Sequence, residues 1–224
     1  VTTLLLTCSL AHLAPSPGET LRAAVAVLTD LQQVPHKGIP AKLLAESEAV
    51  VIVPNVVKAG FVIGGRAGHG VAVVRTKEGW GEVRFVALGG ASVGFQVGVQ
   101  SSDVVLVFKT RGGLDRLLDG KAKLQLGADA SVAAGPVGRD AAAGTDGKLR
   151  AEIYSYGRAR GLFAGVALQG AVLAADRRAE AAFARDAGPE TLRAADELKA
   201  KLAVAAGTAP AAAPPTVPDR PARP

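Results

Sequence analysis

The 224-residue chain has no methionine, one cysteine, one tryptophan and three histidines. One cysteine excludes an internal disulfide framework and a cysteine-based zinc site, and three scattered histidines argue against a transition-metal centre. Aromatic residues make up only 4% of a chain that is 49% hydrophobic, so the core has to be built from Val, Leu and Ala rather than rings. There is no run of five Lys or Arg residues, and the few aromatics are not interleaved with basic ones. A nucleic-acid platform would want both, so no nucleic-acid partner is expected. The net charge is +6 with a pI near 9.7, which favours an anionic partner such as a membrane surface or an acidic protein.

Glycine is abundant and unevenly placed: 23 of the 27 lie between Gly60 and Gly170. In strand-rich sequence, glycines mark tight turns, bulges and sharp bends. The length allows one domain of ordinary size plus appendages. Residues 1–18, within "VTTLLLTCSLAHLAPSPGET", read as an export leader: an apolar stretch ending in small residues and proline, with Ser9-Leu10-Ala11 as a small-x-small cleavage site. The basic n-region is missing, and Leu5-Leu6-Thr7-Cys8 is a poor lipobox because Thr precedes the cysteine. The competing reading of this stretch is a buried N-terminal helix. A cleaved signal implies an exported, periplasmic or envelope-associated protein.

From Glu19 the pattern is helical, with Leu21, Val25, Leu28 and Leu31 on one stripe. "QQVPHKGIP" breaks it, and a second short helix is expected from about Pro40. From Val50 to Leu173 the chain reads as consecutive short strands. "FVIGG" and "GVAVVRT" are separated by "RAGH", "EVRFVAL" follows "KEGWG", and "ASVGFQVGVQ" meets "DVVLVFK" across Ser101-Ser102, a two-residue hairpin spacing. "GGLDRLLDG" is a short helix or turn. "KLQLGADASV", "KLRAEIYSYG" and "GLFAGVALQGAVL" complete the series as strands. The last, only fifteen residues between Arg160 and Asp176, is too short to cross a bilayer as a helix. Tight connections imply antiparallel pairing. The expected fold is α+β: a glycine-rich, strongly curled antiparallel sheet or small barrel of six to eight strands, flanked by N-terminal and C-terminal helices. Residues 19–187 form the folded domain and 188–206 a C-terminal helix, the end of a helical segment from Asp176 with Leu192, Ala195, Leu198 and Leu202 on one face. Residues 207–224 hold six of the 13 prolines and read as a disordered Pro/Ala tail.

Gly90-Ala91-Ser92-Val93-Gly94 has the spacing of a hydrolase nucleophile elbow, which needs a strand, a sharp turn and a helix, then an acid and a histidine downstream. His12, His36 and His69 all precede Ser92, and the residues after Gly90 alternate as a strand does. A triad in another chain order could draw on His69, but the strand reading is the stronger, and no catalytic residue is expected. "GGRAGHG" at 64–70 lacks the Walker spacing and reads as a β-turn within a hairpin, although Arg66 and His69 at its tip could hold an anionic head group. No metal site and no cofactor are expected.

Four blocks carry a wider resemblance: "VPHKGIPAKLLAESEAVVIVPNVVKAGFVIGGRAGHGVAVVR", "GGASVGFQVGVQSSDVVLVF", "LGADASVAAGPVGRD" and "EIYSYGRARGLFAGVALQGAVL". In this order they resemble the SYLF domain family, here as a bacterial-type single-domain member, over roughly Leu21 to Ala184. The resemblance implies a non-enzymatic domain that binds anionic lipid, phosphoinositides in eukaryotic members, and actin filaments in some. The family often ends in an Asn-x-x-Tyr-Gly-like block, whereas this chain has "AEAAFARDAG" with Phe183 at that place.

The expected partner is therefore an anionic membrane lipid, contacted peripherally without a transmembrane helix. The alternative is a filament or envelope protein. Lys37 and Lys42 flank the Gly38-Ile39-Pro40 turn beside the amphipathic first helix, the arrangement of an interfacial membrane contact. Lys58 and Arg66 near the first hairpin, and Arg158 and Arg160 before the last strand, complete the candidate lipid-binding set.

Overall fold

The architecture comes from a computed structural model, which describes residues 14–33, 38–120, 123–135, 151–159, 162–165, 168 and 170–208. Most of the leader, Lys37, Arg160 and most of the Pro/Ala tail lie outside the described residues.

Two strands dominate. β1 (Ala49–Thr76) and β2 (Gly79–Phe108) are 28 and 30 residues long and pair antiparallel from the Lys77–Glu78 turn back to Ala49 opposite Phe108. Straight strands of that length would measure about 90–100 Å at roughly 3.3 Å per residue. Instead they curl, with register shifts at Val53/Val56, Gly60/Val62 and Val73/Arg75. β1 bends back far enough for Gly70 to lie on its own beginning: a Cβ there would collide with the Ile52 carbonyl and stand 2.8 Å from the Val53 Cα. Only glycine permits so close a backbone approach.

The other edge of β2 is shared. Val86–Gly89 pairs with β7 (Val172–Ala175), and Asp103–Phe108 pairs with β5 (Ile153–Ala159). β3 (Leu124–Gln125) adds to β7, while β4 (Val132–Ala134) and β6 (Leu162–Gly165) add to β5. The result is a curled seven-stranded sheet. Its helices are α1 (Pro17–Gln33), α2 (Ala41–Ala45), α3 (Gly112–Leu118), α4 (Arg177–Asp186) and α5 (Pro189–Ala205). This is the α+β fold, with N-terminal and C-terminal helices around a curled sheet, that the sequence implies.

Successive residues of the long strands feed two cores. Val50, Ile52, Val71, Val73 and Phe85 pack with Leu21 and Leu28 of α1, Leu43 and Leu44 of α2, and Leu198 and Leu202 of α5. Val51, Val53, Ala72, Val86 and Leu88 pack on the opposite side with Leu114 and Leu117 of α3. Burial on both faces explains why "AVVIV" and "VVLVF" are continuously apolar rather than alternating. Phe183 of α4 meets Phe85 with ring centroids 5.3 Å apart and so anchors α4 to β2.

Several local expectations are corrected. Arg66–His69 is not a turn but the middle of β1, paired with Gly90–Ala87. Its glycines serve close approach and curvature, not chain reversal. Ser101 and Ser102 are not a hairpin loop either: they sit within β2 opposite Val57 and Val56. A two-residue reversal needs residues that accept positive φ, and Ser-Ser supplies none. The second helix ends at Ala45, and strand structure already begins at Ala49. One pair, β4 with β5, is parallel. The chain between those two strands is long enough for the crossover that parallel pairing requires. The "KLQLGADASV" segment yields only β3 and β4, because residues 127–129 turn at Gly127 with φ +91°. "GLFAGVALQGAVL" gives β6 and β7 rather than one curved strand, and the C-terminal helical segment divides at Gly188-Pro189. The buried stripe of α5 is Ala194, Ala195, Leu198 and Leu202, which leaves Leu192 at its edge and 48% exposed. α5 ends in a Schellman motif: Gly207, φ +66°, donates to the Val204 carbonyl at 3.0 Å and Thr208 donates to that of Ala203 at 2.9 Å.

Candidate functional site

α1 opens with a capping box that fixes its first turn. The Ser16 hydroxyl and N–H both donate to Glu19 Oε2 at 2.7 Å, and the Glu19 N–H returns a bond to Ser16 Oγ at 3.3 Å. Pro17 occupies the first helical position, where a missing N–H costs nothing. The bonds from the Ser16 side chain, then its backbone, hold the Glu19 carboxyl below the usual carboxylate range. The helix therefore starts two residues before the expected Glu19, and Ser-x-x-Glu was the signal for it.

Between this first turn and the curl of β1 lies a cleft of about 1130 Å³. Its wall is formed by Thr20 and Ala23 of α1, by Pro54, Asn55 and Val57, and by residues 65–69 of β1. The cleft exists because β1 breaks register at Val53/Val56, where Asn55 adopts a left-handed φ of +50°. Asparagine tolerates that region better than most residues. The Pro-Asn pair inside an apolar run was a sequence signal for this bulge.

The bulge is held from below. The Asn55 N–H donates to Asp103 Oδ1 at 3.0 Å, while Arg158 donates through Nε to Asp103 Oδ2 at 2.7 Å. Arg158 also pairs with Asp30 of α1. Burial lowers the Arg158 pKa, and the bonds to Asp103 and Asp30 more than offset it, so the net shift is upward. This side chain thus ties α1, β1, β2 and β5 together, a role that lay outside the expected lipid contact.

Arg66 and His69 both line the cleft. His69 Nδ1 is 2.8 Å from Asp176 Oδ2, and the other Asp176 oxygen caps α4 by accepting from the Ala179 N–H at 3.0 Å. Arg66 differs: its Nε is sealed from solvent and has no hydrogen-bond partner among the described residues. Leaving a buried polar N–H unmade costs about 1–3 kcal/mol.

The other expected basic residues are not gathered here. Lys42 is exposed on α2, and Lys58 follows the cleft residue Val57 on β1, half-buried and outside the lining. Lys37 and Arg160 fall outside the described residues. Ser92 lies within uninterrupted β2, its backbone opposite Gly64, so the strand–turn–helix geometry of a nucleophile elbow is not formed. Among the described residues, no group of three His, Cys, Asp or Glu side chains could hold a metal ion, and no helix is long and apolar enough to cross a membrane.

Comparison with known proteins adds a family. The family model Ysc84, described as "Las17-binding protein actin regulator", matches residues 89–213, from the middle of β2 through α5. A human protein named SH3 domain-containing YSC84-like protein 1 is 36% identical over 143 residues, covering 62% of this chain and 40% of its own length. The Saccharomyces cerevisiae LAS seventeen-binding protein 3 is 35% identical over 151 residues, covering 66% of this chain and 32% of its own. An SH3 domain-containing protein of Schizosaccharomyces pombe is 37% identical over 150 residues, covering 66% of this chain and 34% of its own. The match thus spans between a third and two fifths of these relatives.

Proposed function

The chain belongs to the Ysc84 family, whose shared unit is the SYLF domain, and from that premise we propose that it binds anionic lipid peripherally at a membrane surface without catalysing a reaction. The observation that carries this reading is Arg66, a cation in the lining of the cleft between α1 and β1. The net charge of +6 acts in the same direction. Lys37, Lys42, Lys58 and Arg160 supply diffuse attraction to acidic headgroups, each Lys or Arg near the surface contributing roughly 1 kcal/mol. Arg158, held by Asp103 and Asp30, contributes to the scaffold.

Vesicle co-sedimentation tests the proposal. Phosphatidylserine or phosphoinositide vesicles should pellet the protein, neutral phosphatidylcholine vesicles should not, and added salt should release it, because exposed charges are screened over about 8–10 Å. Lys37→Glu combined with Lys42→Glu should weaken binding by roughly a hundredfold or more, at about 1 kcal/mol for each unit of charge removed. Binding that ignores vesicle charge would overturn the electrostatic mechanism.

A second reading is favoured by the names of the relatives: one is a LAS seventeen-binding protein, and the family is described as an actin regulator. On that reading the domain is a protein-interaction module for a filament or an envelope protein. Co-sedimentation with filamentous actin, without lipid, separates the two.

A further inference from the structure

We infer that the cleft between α1 and the curl of β1 holds one molecule of an anionic amphiphile, its acidic headgroup on Arg66 and its alkyl chain along the apolar wall. The inference rests on the lipid reading and deepens it. Adsorption to a surface needs only exposed charge, whereas this site draws a single lipid partly out of its layer.

Four observations converge. The cleft, at about 1130 Å³, is at or above the roughly 300–1,000 Å³ usual for small-molecule sites. Ala23, Pro54, Val57 and Ala67 give it an apolar wall suited to methylenes and to nothing charged. Arg66 brings a cationic guanidinium to the lining, and a carboxylate or phosphate oxygen beside it would gain a charge-assisted bond. Two other polar side chains of the lining already have partners: His69 in Asp176, and Glu19, the carboxylate of the lining, in the Ser16 capping box. The headgroup therefore belongs on Arg66 rather than at the helix cap.

The test uses the full chain, calorimetry and soluble monomers: dodecyl phosphate below its critical micelle concentration, uncharged dodecyl maltoside, and inorganic phosphate. One dodecyl phosphate should bind per chain, with inorganic phosphate and dodecyl maltoside each weaker by about tenfold or more, since each lacks one half of the recognition. Arg66→Gln should lower dodecyl phosphate affinity by about tenfold while leaving that for dodecyl maltoside unchanged. Ala67→Leu, which narrows the wall without altering charge, should weaken dodecyl phosphate while inorganic phosphate binding stays as in the parent; it decides the matter alone if Arg66→Gln does not fold. Inorganic phosphate binding as tightly as dodecyl phosphate would overturn the alkyl-chain site and leave a plain anion site. Vesicle binding without any monomer binding would overturn the cleft and spare the surface reading. Failure of both would remove the lipid reading itself.

Discussion

Arg158 and Asp103 meet through one oxygen: Nε and Nη2 of the guanidinium lie 2.7 and 2.6 Å from Asp103 Oδ2, leaving Oδ1 to accept the Asn55 N–H. The carboxylate is almost fully buried, at 9% side-chain exposure, so its two oxygens serve two different elements and water serves neither well. Asp103→Ala strips the Asn55 N–H of its acceptor and takes from Arg158 its buried carboxylate partner. Breaking a buried pair from one side costs about 3–5 kcal/mol, and the partial exposure of Arg158 lowers the expected loss to about 2–4 kcal/mol. Urea unfolding would read it. Asp103→Asn, which keeps an acceptor for Asn55, should lose less; equal losses would show that the Asn55 bond contributes nothing.

Gly70 sets the curl of β1. Gly70→Ala would place a methyl group against the Ile52 carbonyl and Val53 Cα, both backbone, so no rotamer change can relieve it. A loss of about 2 kcal/mol or more in thermal or urea unfolding is expected, in the range of core overpacking. By contrast, Gly112→Ala meets no atom within 4 Å and should change stability little.

Tyr156 gives the protein an alkaline limit. Burial, then the neighbouring Tyr154, pushes its pKa well above the ordinary value, and burial also raises that of Tyr154. Above about pH 10 the unfolded chain ionises both phenols while the folded one keeps them protonated. The unfolded state then binds fewer protons, so stability present below pH 10 falls as pH rises, by up to about 1.4 kcal/mol per pH unit for each group. Tyr156→Phe should flatten that decline between pH 10 and 12 in urea titrations; an unchanged slope would mean the phenol is not held protonated.

Ser92 is a strand residue. Purified protein should show no Ser92-dependent hydrolysis of short-chain esters, and Ser92→Ala should fold and bind vesicles as the parent does. Turnover that vanishes with Ser92→Ala would overturn the strand assignment.

The helices were legible because their signals are local. Leu21, Leu28 and Leu31 recur at helical spacing, and Asp176 stands where a capping residue belongs. The strands were legible as strands but not as two long ones. A glycine at a turn and a glycine at a close backbone approach look alike in a one-dimensional string, and Gly68 and Gly70 are of the second kind. Arg66 was singled out from its neighbours in sequence, yet its sealed Nε was not readable there.

What the sequence determined by itself was the class of fold, the family and the excess of positive charge, since apolar periodicity, block order and composition are properties of the chain as written. What only the tertiary structure decided was which charges pair with one another. Asp30 and Arg158 are 128 residues apart in the chain, and Asp103 lies 48 residues beyond the Asn55 it supports. Local pattern carries no information about such pairings, because an ion pair is set by where the folded backbone places two charges and by how far water is excluded between them. The same folding that pairs Arg158 with Asp103 and Asp30 places Arg66 in the lining of the cleft.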